Sequence, residues 1–308
     1  MIRKHRSRAA KAAFAISLGV AIVIGLFAAV FARPANSAGT TVIIGTKNFP
    51  EEFILGQLYK QALEAKGFTV EYKENIGSTE LIQTSLTSGR IDMYPEYTGV
   101  IVQDVFGHAL SAKSAEATFE LAKQLEEKHG FTLLDATPFS DTDAIAVLKQ
   151  TAAKDGLHAL GDLKKVRGLK LGGQPEFRTR NTGLVGLRRN YGLRDVDFVP
   201  FAGISPYVAL DSHQVDAAAV FSTDPPLGKN SKYVTLADPV HQFGFQNAAP
   251  IVKQTVVDKL GSDFTDTVNA VSAKLSQDAI VAMNRAVIVN KQKPAAVARQ
   301  FLQANGVL

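Results

Sequence analysis

Short apolar segments alternate with amphipathic segments from residue 41 onward, and this alternation limits the folds open to the chain. Residues 41–45, 68–72 and 91–94 predict strands, and residues 51–66 and 78–88 have the apolar spacing of helices. Because strands separated by helices return in the same direction, a β-α-β-α-β order predicts a parallel sheet with helices on its faces.

The same rhythm continues towards the C-terminus. Further helices are predicted over 115–129, around 183–190, around 205–213 and through 262–308, and further strands over 131–135, 143–149, 169–172, 197–200 and 217–221. No long flexible linker separates the two α/β units. This organisation indicates two lobes joined by crossing segments.

The positive charge of the chain is concentrated at its N-terminus. The formal net charge is +5, but residues 1–38 carry six positive charges and no acid, which leaves −1 for residues 39–308. A basic start, an uncharged run over 13–32 and small residues up to Ala38 predict a secretory signal peptide over 1–38. The apolar run is also long enough to span a bilayer, so a retained anchor is the alternative. Either reading places residues 39–308 outside the cytoplasm, and the periplasm is expected.

The composition argues against several kinds of chemistry. The chain of 308 residues has no cysteine, which excludes disulfides, thiolate-ligated metals, thiol nucleophiles and a lipid-anchored N-terminal cysteine. The histidines are scattered, and no motif of a hydrolase, metalloprotease or nucleotide-binding loop is present. We therefore predict no cofactor, no metal site, no nucleic-acid partner and no enzyme. The alternative, an enzyme on a bilobal fold, would have to use Lys47 and the aspartates of the cleft.

Charged and aromatic residues follow several predicted strands, where ligands bind in open α/β sheets. Lys47 follows the first strand and could hold an anion. Tyr97 lies in the segment MYPEYTG after the third strand and could line a wet pocket, whereas Tyr94 is expected to pack in the core. Arg180 follows a later strand and could hold a carboxylate with two parallel hydrogen bonds. Considered alone, Lys47 and Arg180 could each be an ordinary surface residue, and one of the tyrosines could simply pack in the core.

Together these segments resemble a known family. The string from GTKNFPEEF to DMYPEYTG (residues 45–99), with PEFRTRNTGLVGLRRNYGL, VDAAAVFSTD and NAAPIV further on, resembles the substrate-binding proteins of ABC-type glycine betaine/choline/carnitine importers. The resemblance covers about residues 41–308. It implies an α/β, bilobal Venus-flytrap fold of the periplasmic binding proteins, with lobe 1 formed by 41–140 and 246–308 and lobe 2 by 141–245. It further implies a monomer that traps a small ligand between its lobes and delivers it to an inner-membrane ABC permease.

Some ligand-binding residues of the family carry over to this chain. Lys47 and Arg180 match the residues that hold a ligand carboxylate, and Tyr97 matches a tyrosine of the aromatic cage that holds the ammonium. Asp141 lies in a matching segment. The chain departs from the family pattern at five places. Asp143 and Phe221 replace aromatic residues, and Phe245 or Gln246 replaces a cage tyrosine. The other departures are Val100 and the pair Pro225 and Pro226.

These departures change the expected ligand. The cage is reduced to Tyr97, Phe221 and Phe245, while Asp141 and Asp143 add negative charge beside the ammonium position. Carboxylates attract any cation and accept N–H donors, which a fully methylated ammonium lacks. Glycine betaine or choline remains the first expectation. The alternatives are a different amine or carboxylate ligand on the same fold, and a membrane-tethered sensor or receptor domain.

Overall fold

The computed structural model describes residues 40–109, 113–201, 203–228 and 230–308, so the predicted signal peptide lies outside the described residues. The strands are β1 Thr41–Lys47, β2 Thr69–Gly77, β3 Met93–Tyr97, β4 Phe131–Leu133, β5 Asp143–Leu148, β6 Lys170–Gly173, β7 Asp197–Pro200, β8 Ala217–Phe221, β9 Tyr233–Thr235 and β10 Ala248–Lys253.

The helices alternate with these strands and then close the chain. They are α1 Pro50–Ala65, α2 Thr79–Thr87, α3 Thr98–Val100, α4 Ala115–Glu127, α5 Lys149–Asp155, α6 Leu184–Tyr191, α7 Pro206–Asp211, α8 Gln254–Leu260, α9 Ser262–Ser272, α10 Gln277–Ile288 and α11 Pro294–Ala304. A π-helical turn, Ile101–Val105, continues α3, and 3-10 turns occur at Leu160–Lys165, Pro175–Arg178 and Pro225–Leu227. Within the described ranges, no helix has the length and apolar character needed to cross a membrane.

The strands form two five-stranded sheets. The first has the order β2-β1-β3-β10-β4, and the second has the order β7-β6-β8-β5-β9. Strands β1, β2 and β3 are parallel, as predicted, and β10 runs antiparallel to both β3 and β4. In the second sheet β6 is parallel to β7 and β8, while β5 is antiparallel to β8 and β9. Both sheets are therefore mixed, and the carboxyl ends of their parallel strands remain at one edge.

Each sheet is covered by an apolar core on both of its faces. Val42 and Ile44 of β1 belong to the cluster under α1 and α9, whereas Ile43, between them, packs against the opposite cluster. This alternation follows the period of a strand. Two further clusters pack on the second sheet. Each half of the molecule is thus a helix-covered sheet with its own core.

The first helix begins and ends as its sequence predicts. Pro50 occupies the first turn, where its missing N–H costs nothing, and Glu51 and Glu52 follow it. The helix ends before Gly67, whose φ of 89° lies in the left-handed region. Ser78 occupies the predicted N-cap position of α2, but its hydroxyl contacts Glu80 instead of a backbone N–H of the helix. Gly89, with φ of 80°, ends that segment as expected.

Two segments carry the chain between the sheets, and they run side by side. Ser140 and Asn247 form an isolated antiparallel bridge, and the Asp141 N–H donates to the Gln246 carbonyl at 2.9 Å. Gln246 also fixes this junction to the end of β3, because its Oε1 accepts the Val100 N–H at 3.0 Å. Gly99 makes room for that amide, since a Cβ at this position would lie 2.7 Å from Gln246 Nε2.

The structure differs from the sequence prediction in a few elements. Two strands, β9 and β10, are not predicted, and β10 is the one that makes the first sheet mixed. Residue 149, predicted as strand, begins α5 instead. Strand β3 continues through Pro95 to Tyr97. The proline ring is accommodated because it lies opposite Pro250 of β10, so that neither residue has an N–H to offer the ladder.

Candidate ligand-binding site

A cavity of about 620 Å³ lies between the two sheets. Its walls come from the carboxyl ends of β1, β3, β6 and β8, from the start of β5 and from α10. Because β5 is antiparallel to β8, its first residue lies at the same edge of the second sheet as the last residue of β8. The cavity therefore occupies the position at which open α/β sheets bind ligands.

Three aromatic rings form a row in this cavity. The ring of Phe49 stacks on Phe221 at 5.3 Å between centroids and lies 6.3 Å from the ring of Tyr97. Phe49 and Tyr97 belong to the first half of the molecule, and Phe221 ends β8 in the second. The row thus spans the cleft and presents π-electron faces, which attract cations.

Lys47 lies beside this row but is already paired. Its Nζ contacts Glu96 Oε1 and lies 3.7 Å from Glu52 Oε1. It also lies 4.3 Å from the centroid of the Tyr97 ring. Lys47 is only 4% exposed, and Glu96 is fully buried. Its ammonium therefore balances the buried carboxylate of Glu96, a group of the protein itself.

Glu51 is a buried carboxylate held by three donors. The Tyr97 hydroxyl donates to Oε1 at 2.7 Å, and Thr223 Oγ1 and Asn284 Nδ2 donate to Oε2 at 2.7 and 2.6 Å. Burial raises the pKa of Glu51 above its usual value in spite of these hydrogen bonds. Since Thr223 belongs to the second half and Glu51 and Asn284 to the first, this cluster also joins the two halves.

Three aspartates complete the acidic wall. Asp141 is 4% exposed and accepts the Thr223 N–H at 3.0 Å, and Asp224 accepts the Tyr207 hydroxyl at 2.9 Å. Burial raises the pKa of Asp141, of Asp224, and of Asp143, for which the value is about 7. Asp143 begins β5 directly opposite Phe221. Acidic side chains and aromatic π surface are therefore adjacent in the cavity.

Arg180 joins the two halves on another side of the cleft. Its Nε and Nη2 donate to the two carboxylate oxygens of Glu80 at 3.0 and 3.1 Å. Glu80 lies in the first turn of α2, and Arg180 follows the 3-10 turn after β6. Burial opposes ionisation of Glu80, but the hydrogen bonds and charge of Arg180 lower its pKa to about 2. This contact uses the Nε–Nη2 edge of the guanidinium and balances its positive charge.

Neighbouring residues add hydrogen bonds across the same side. The Asn181 side chain donates to the Gln103 carbonyl at 3.0 Å, and the Thr182 N–H donates to Asp104 Oδ1 at 3.2 Å. The Thr182 hydroxyl also contacts Asp104. With the Glu80–Arg180 pair, these bonds hold the two halves in contact.

The structure brings together most of the residues predicted for the site. Cavity-lining positions are occupied by Lys47, Tyr97, Asp141, Asp143, Arg180 and Phe221. Phe245 is different, because it does not line the cavity and its ring stacks on His241 at 5.6 Å. Gln246 takes the inward position, where its side chain is bonded at the end of β3. The ring of Phe245 therefore packs against His241 and takes no part in the cavity wall.

Four contributors to the site were missing from the prediction. Phe49 stands in the KNF segment beside Lys47, so the motif that identified the lysine also contained the ring. Glu51 looked like an ordinary acid at a helix start. Glu80 and Asn284 carry no local signal, since their roles depend on partners about 100 and more than 200 residues away in the chain.

The sequence of residues 40–304 matches the family described as the substrate-binding domain of ABC-type glycine betaine transport systems. The chain belongs to this family. A glycine-betaine-binding protein of Pseudomonas aeruginosa is 32% identical over 301 residues, which cover 92% of each chain. The glycine betaine-binding protein YehZ of Escherichia coli is 28% identical, over 87% of this chain and 92% of its own.

The fold of the chain is also similar to that of a solved structure. Apo YehZ from Escherichia coli superimposes with a TM-score of 0.62 at 27% identity, covering 87% of this chain and all of that chain. The predicted bilobal α/β fold class is thereby confirmed. So is the prediction that the chain is a transport substrate-binding protein and not an enzyme, because that is what the family comprises.

Proposed function

We propose that this protein is the periplasmic receptor of an ABC importer for a small quaternary-ammonium or related cationic or zwitterionic compound, such as choline or glycine betaine. The row of Phe49, Tyr97 and Phe221 beside buried carboxylates is the observation that carries the proposal. Aromatic faces hold ammonium groups by cation–π attraction, and the neighbouring carboxylates reinforce it. Relatives named for glycine betaine binding support the same ligand class.

The proposed cycle is reversible capture. Residues 41–140 with 246–308 act as one lobe and residues 141–245 as the other, and they open about the paired segments at Ser140 and Asn247. The ligand enters the open cleft, and the contacts of Glu51 with Thr223 and of Glu80 with Arg180 re-form around it. A monomer in this closed form then docks on an inner-membrane permease. The segment 1–38 directs the chain to the periplasm.

Calorimetry on the purified full-length chain tests the ligand class. The panel contains choline, glycine betaine and carnitine, and also 3,3-dimethylbutan-1-ol, which has the shape of choline without its charge. We expect saturable binding of at least one ammonium compound and none of the neutral isostere, because cation–π and charge attraction both require the positive charge. Binding of the neutral compound with equal affinity, or of no ammonium compound at all, would refute the proposal.

A further inference from the structure

Arg180 lines the cavity, but its guanidinium is already paired with the carboxylate of Glu80. Both hydrogen bonds of the fork go to the two oxygens of one carboxylate, at 3.0 and 3.1 Å. The Arg180 side chain is 18% exposed, whereas that of Glu80 is 52% exposed, so the acid lies at the rim of the cavity. A ligand carboxylate could bind the same Nε–Nη2 edge of Arg180 only by displacing Glu80.

Lys47, the second basic residue of the cavity wall, is also paired with an acid of the protein. Lys47 contacts Glu96, has Glu52 nearby and lies over the ring of Tyr97. Among the described lining residues, Lys47 and Arg180 are the basic ones, and the acidic ones are Glu51, Asp141, Asp143, Glu176 and Asp224. A ligand carboxylate would therefore meet more acidic than basic side chains, and both basic side chains already have a carboxylate partner.

Asn284 adds an independent indication of the ligand. Its Nδ2 donates to Glu51 Oε2 at 2.6 Å, which fixes the orientation of the amide because Nδ2 is the end that can donate to a carboxylate. Its Oδ1 is buried and has no hydrogen-bond partner among the described residues, although Asn284 lines the cavity and is 2% exposed. A buried acceptor without a partner is costly, and a donor on the ligand would satisfy it.

We propose that Glu80 is a specificity-determining residue: by pairing with Arg180 it excludes carboxylates, so that the cavity selects a small organic cation that carries a hydroxyl or N–H donor and no carboxylate. This inference rests on the proposed function and narrows it. The ammonium of the ligand lies among Phe49, Tyr97 and Phe221, and its donor is directed to an acceptor such as Asn284 Oδ1. Choline and primary or secondary amino alcohols have this chemistry, and glycine betaine does not.

Substitution of Glu80 tests the inference. Calorimetry compares choline with glycine betaine on the wild-type chain, on Glu80→Gln and on a matched control, Glu116→Gln, which removes an exposed acid from the first turn of α4. We expect the wild type and the control to bind choline at least about tenfold more tightly than glycine betaine, the size of one charged hydrogen-bond contact. In Glu80→Gln the affinity for glycine betaine should rise by about tenfold, because Arg180 becomes available to its carboxylate.

The double variant Glu80→Gln/Arg180→Gln tests whether the gain in affinity depends on Arg180. It should lose the gain for glycine betaine, since the gain requires the freed guanidinium. A gain that persists in the double variant, or an equal change for both ligands in Glu80→Gln, would overturn the role of Glu80. Tighter binding of glycine betaine than of choline by the wild type would overturn the inference and leave the proposed function standing. If no ammonium compound binds, both fail.

Discussion

Phe49 is the central ring of the aromatic row, and it offers a direct test of the cavity. Phe49→Leu keeps apolar volume but removes the π face between Tyr97 and Phe221. We expect affinity for the ammonium ligand to fall about 2- to 30-fold, which corresponds to about 0.5–2 kcal/mol for one cation–π contact. Calorimetry measures the change.

The matched control is Phe68→Leu. Phe68 packs edge-on against Phe264 in the first half and does not line the cavity. Its substitution should leave affinity at the wild-type value. Equal losses in the two variants would show that the effect of Phe49→Leu is one of general packing.

Asp143 makes ligand affinity depend on pH. Its pKa is raised to about 7, mainly by burial; the charges of Arg180 and Lys47 oppose this rise, and those of Asp104 and Glu176 add to it. Below pH 7 the group is neutral, and above pH 7 it is ionised and attracts the ligand cation. Affinity should therefore rise with pH through about 7, by up to about tenfold between pH 6 and 8 for one released proton.

Asp143→Asn should flatten this profile, whereas Asp155→Asn, at an exposed position in α5, should retain it. Calorimetry at several pH values, in buffers of different ionisation enthalpy, also counts the released protons directly. A steep profile that survives in Asp143→Asn would assign the titration to another carboxylate.

Lys47 connects three elements of the first half through one buried network. It ends β1 and contacts Glu96 of β3, and Glu96 also accepts the Thr79 hydroxyl at the start of α2 at 3.0 Å. Lys47→Met would leave the buried Glu96 carboxylate without its cation. We expect the free energy of unfolding to fall by about 3–5 kcal/mol, as it does when one partner of a buried ion pair is removed.

The comparison variant is Lys60→Met. Lys60 pairs with Glu64 on the partly exposed face of α1, where such a pair contributes less than about 1 kcal/mol. Denaturant unfolding of both variants at neutral pH gives the two values. Equal stability losses would mean that the Lys47 network contributes no more than a surface pair.

The elements themselves were largely readable from the sequence, because each depends on local apolar spacing and on residues that end helices. Strands β9 and β10 were not. Strand β10 is a continuous apolar run without alternation, and its place between β3 and β4 depends on contacts more than 100 residues away. The residues of the site divide in the same way, into those with a local sequence signal and those without one. Lys47 and Arg180 were found by their positions after strands, but the carboxylates that occupy them could be identified only in three dimensions.

Glu126 couples the stability of the whole molecule to pH. It is fully buried in α4, and within the described part of the chain neither carboxylate oxygen has a hydrogen-bond partner. Burial, with a smaller contribution from Glu96, raises its pKa from 4.5 to about 8. Between these two values the folded chain binds a proton that the unfolded chain has released, so the free energy of unfolding falls as pH rises through this window.

Glu126→Gln removes this titration while keeping the shape of the side chain. At pH 5 the variant and the wild type should be similarly stable, and at pH 9 the variant should be more stable by about 2–4 kcal/mol. Denaturant unfolding at the two pH values measures the difference. Glu127→Gln, at the exposed neighbouring position, should follow the wild type at both. If the free energy of unfolding of Glu126→Gln also equals that of the wild type at both pH values, the Glu126 carboxylate is hydrated in the folded protein.

The Glu80–Arg180 pair is open to solvent on its Glu80 side, so dissolved ions reach it, whereas the Lys47–Glu96 pair is shielded from them. Mobile ions weaken exposed charge pairs: the Debye length shortens from about 10 Å at 0.1 M to about 3 Å at 1 M ionic strength. A receptor built in this way would discriminate between ligands less strictly in concentrated brine than in dilute buffer. In a competition-binding experiment at increasing concentrations of an inert salt, the affinity for glycine betaine relative to choline should rise in the wild type. It should stay constant in Glu80→Gln/Arg180→Gln. The selectivity of the protein would then respond to the salinity of its surroundings without any further regulatory site.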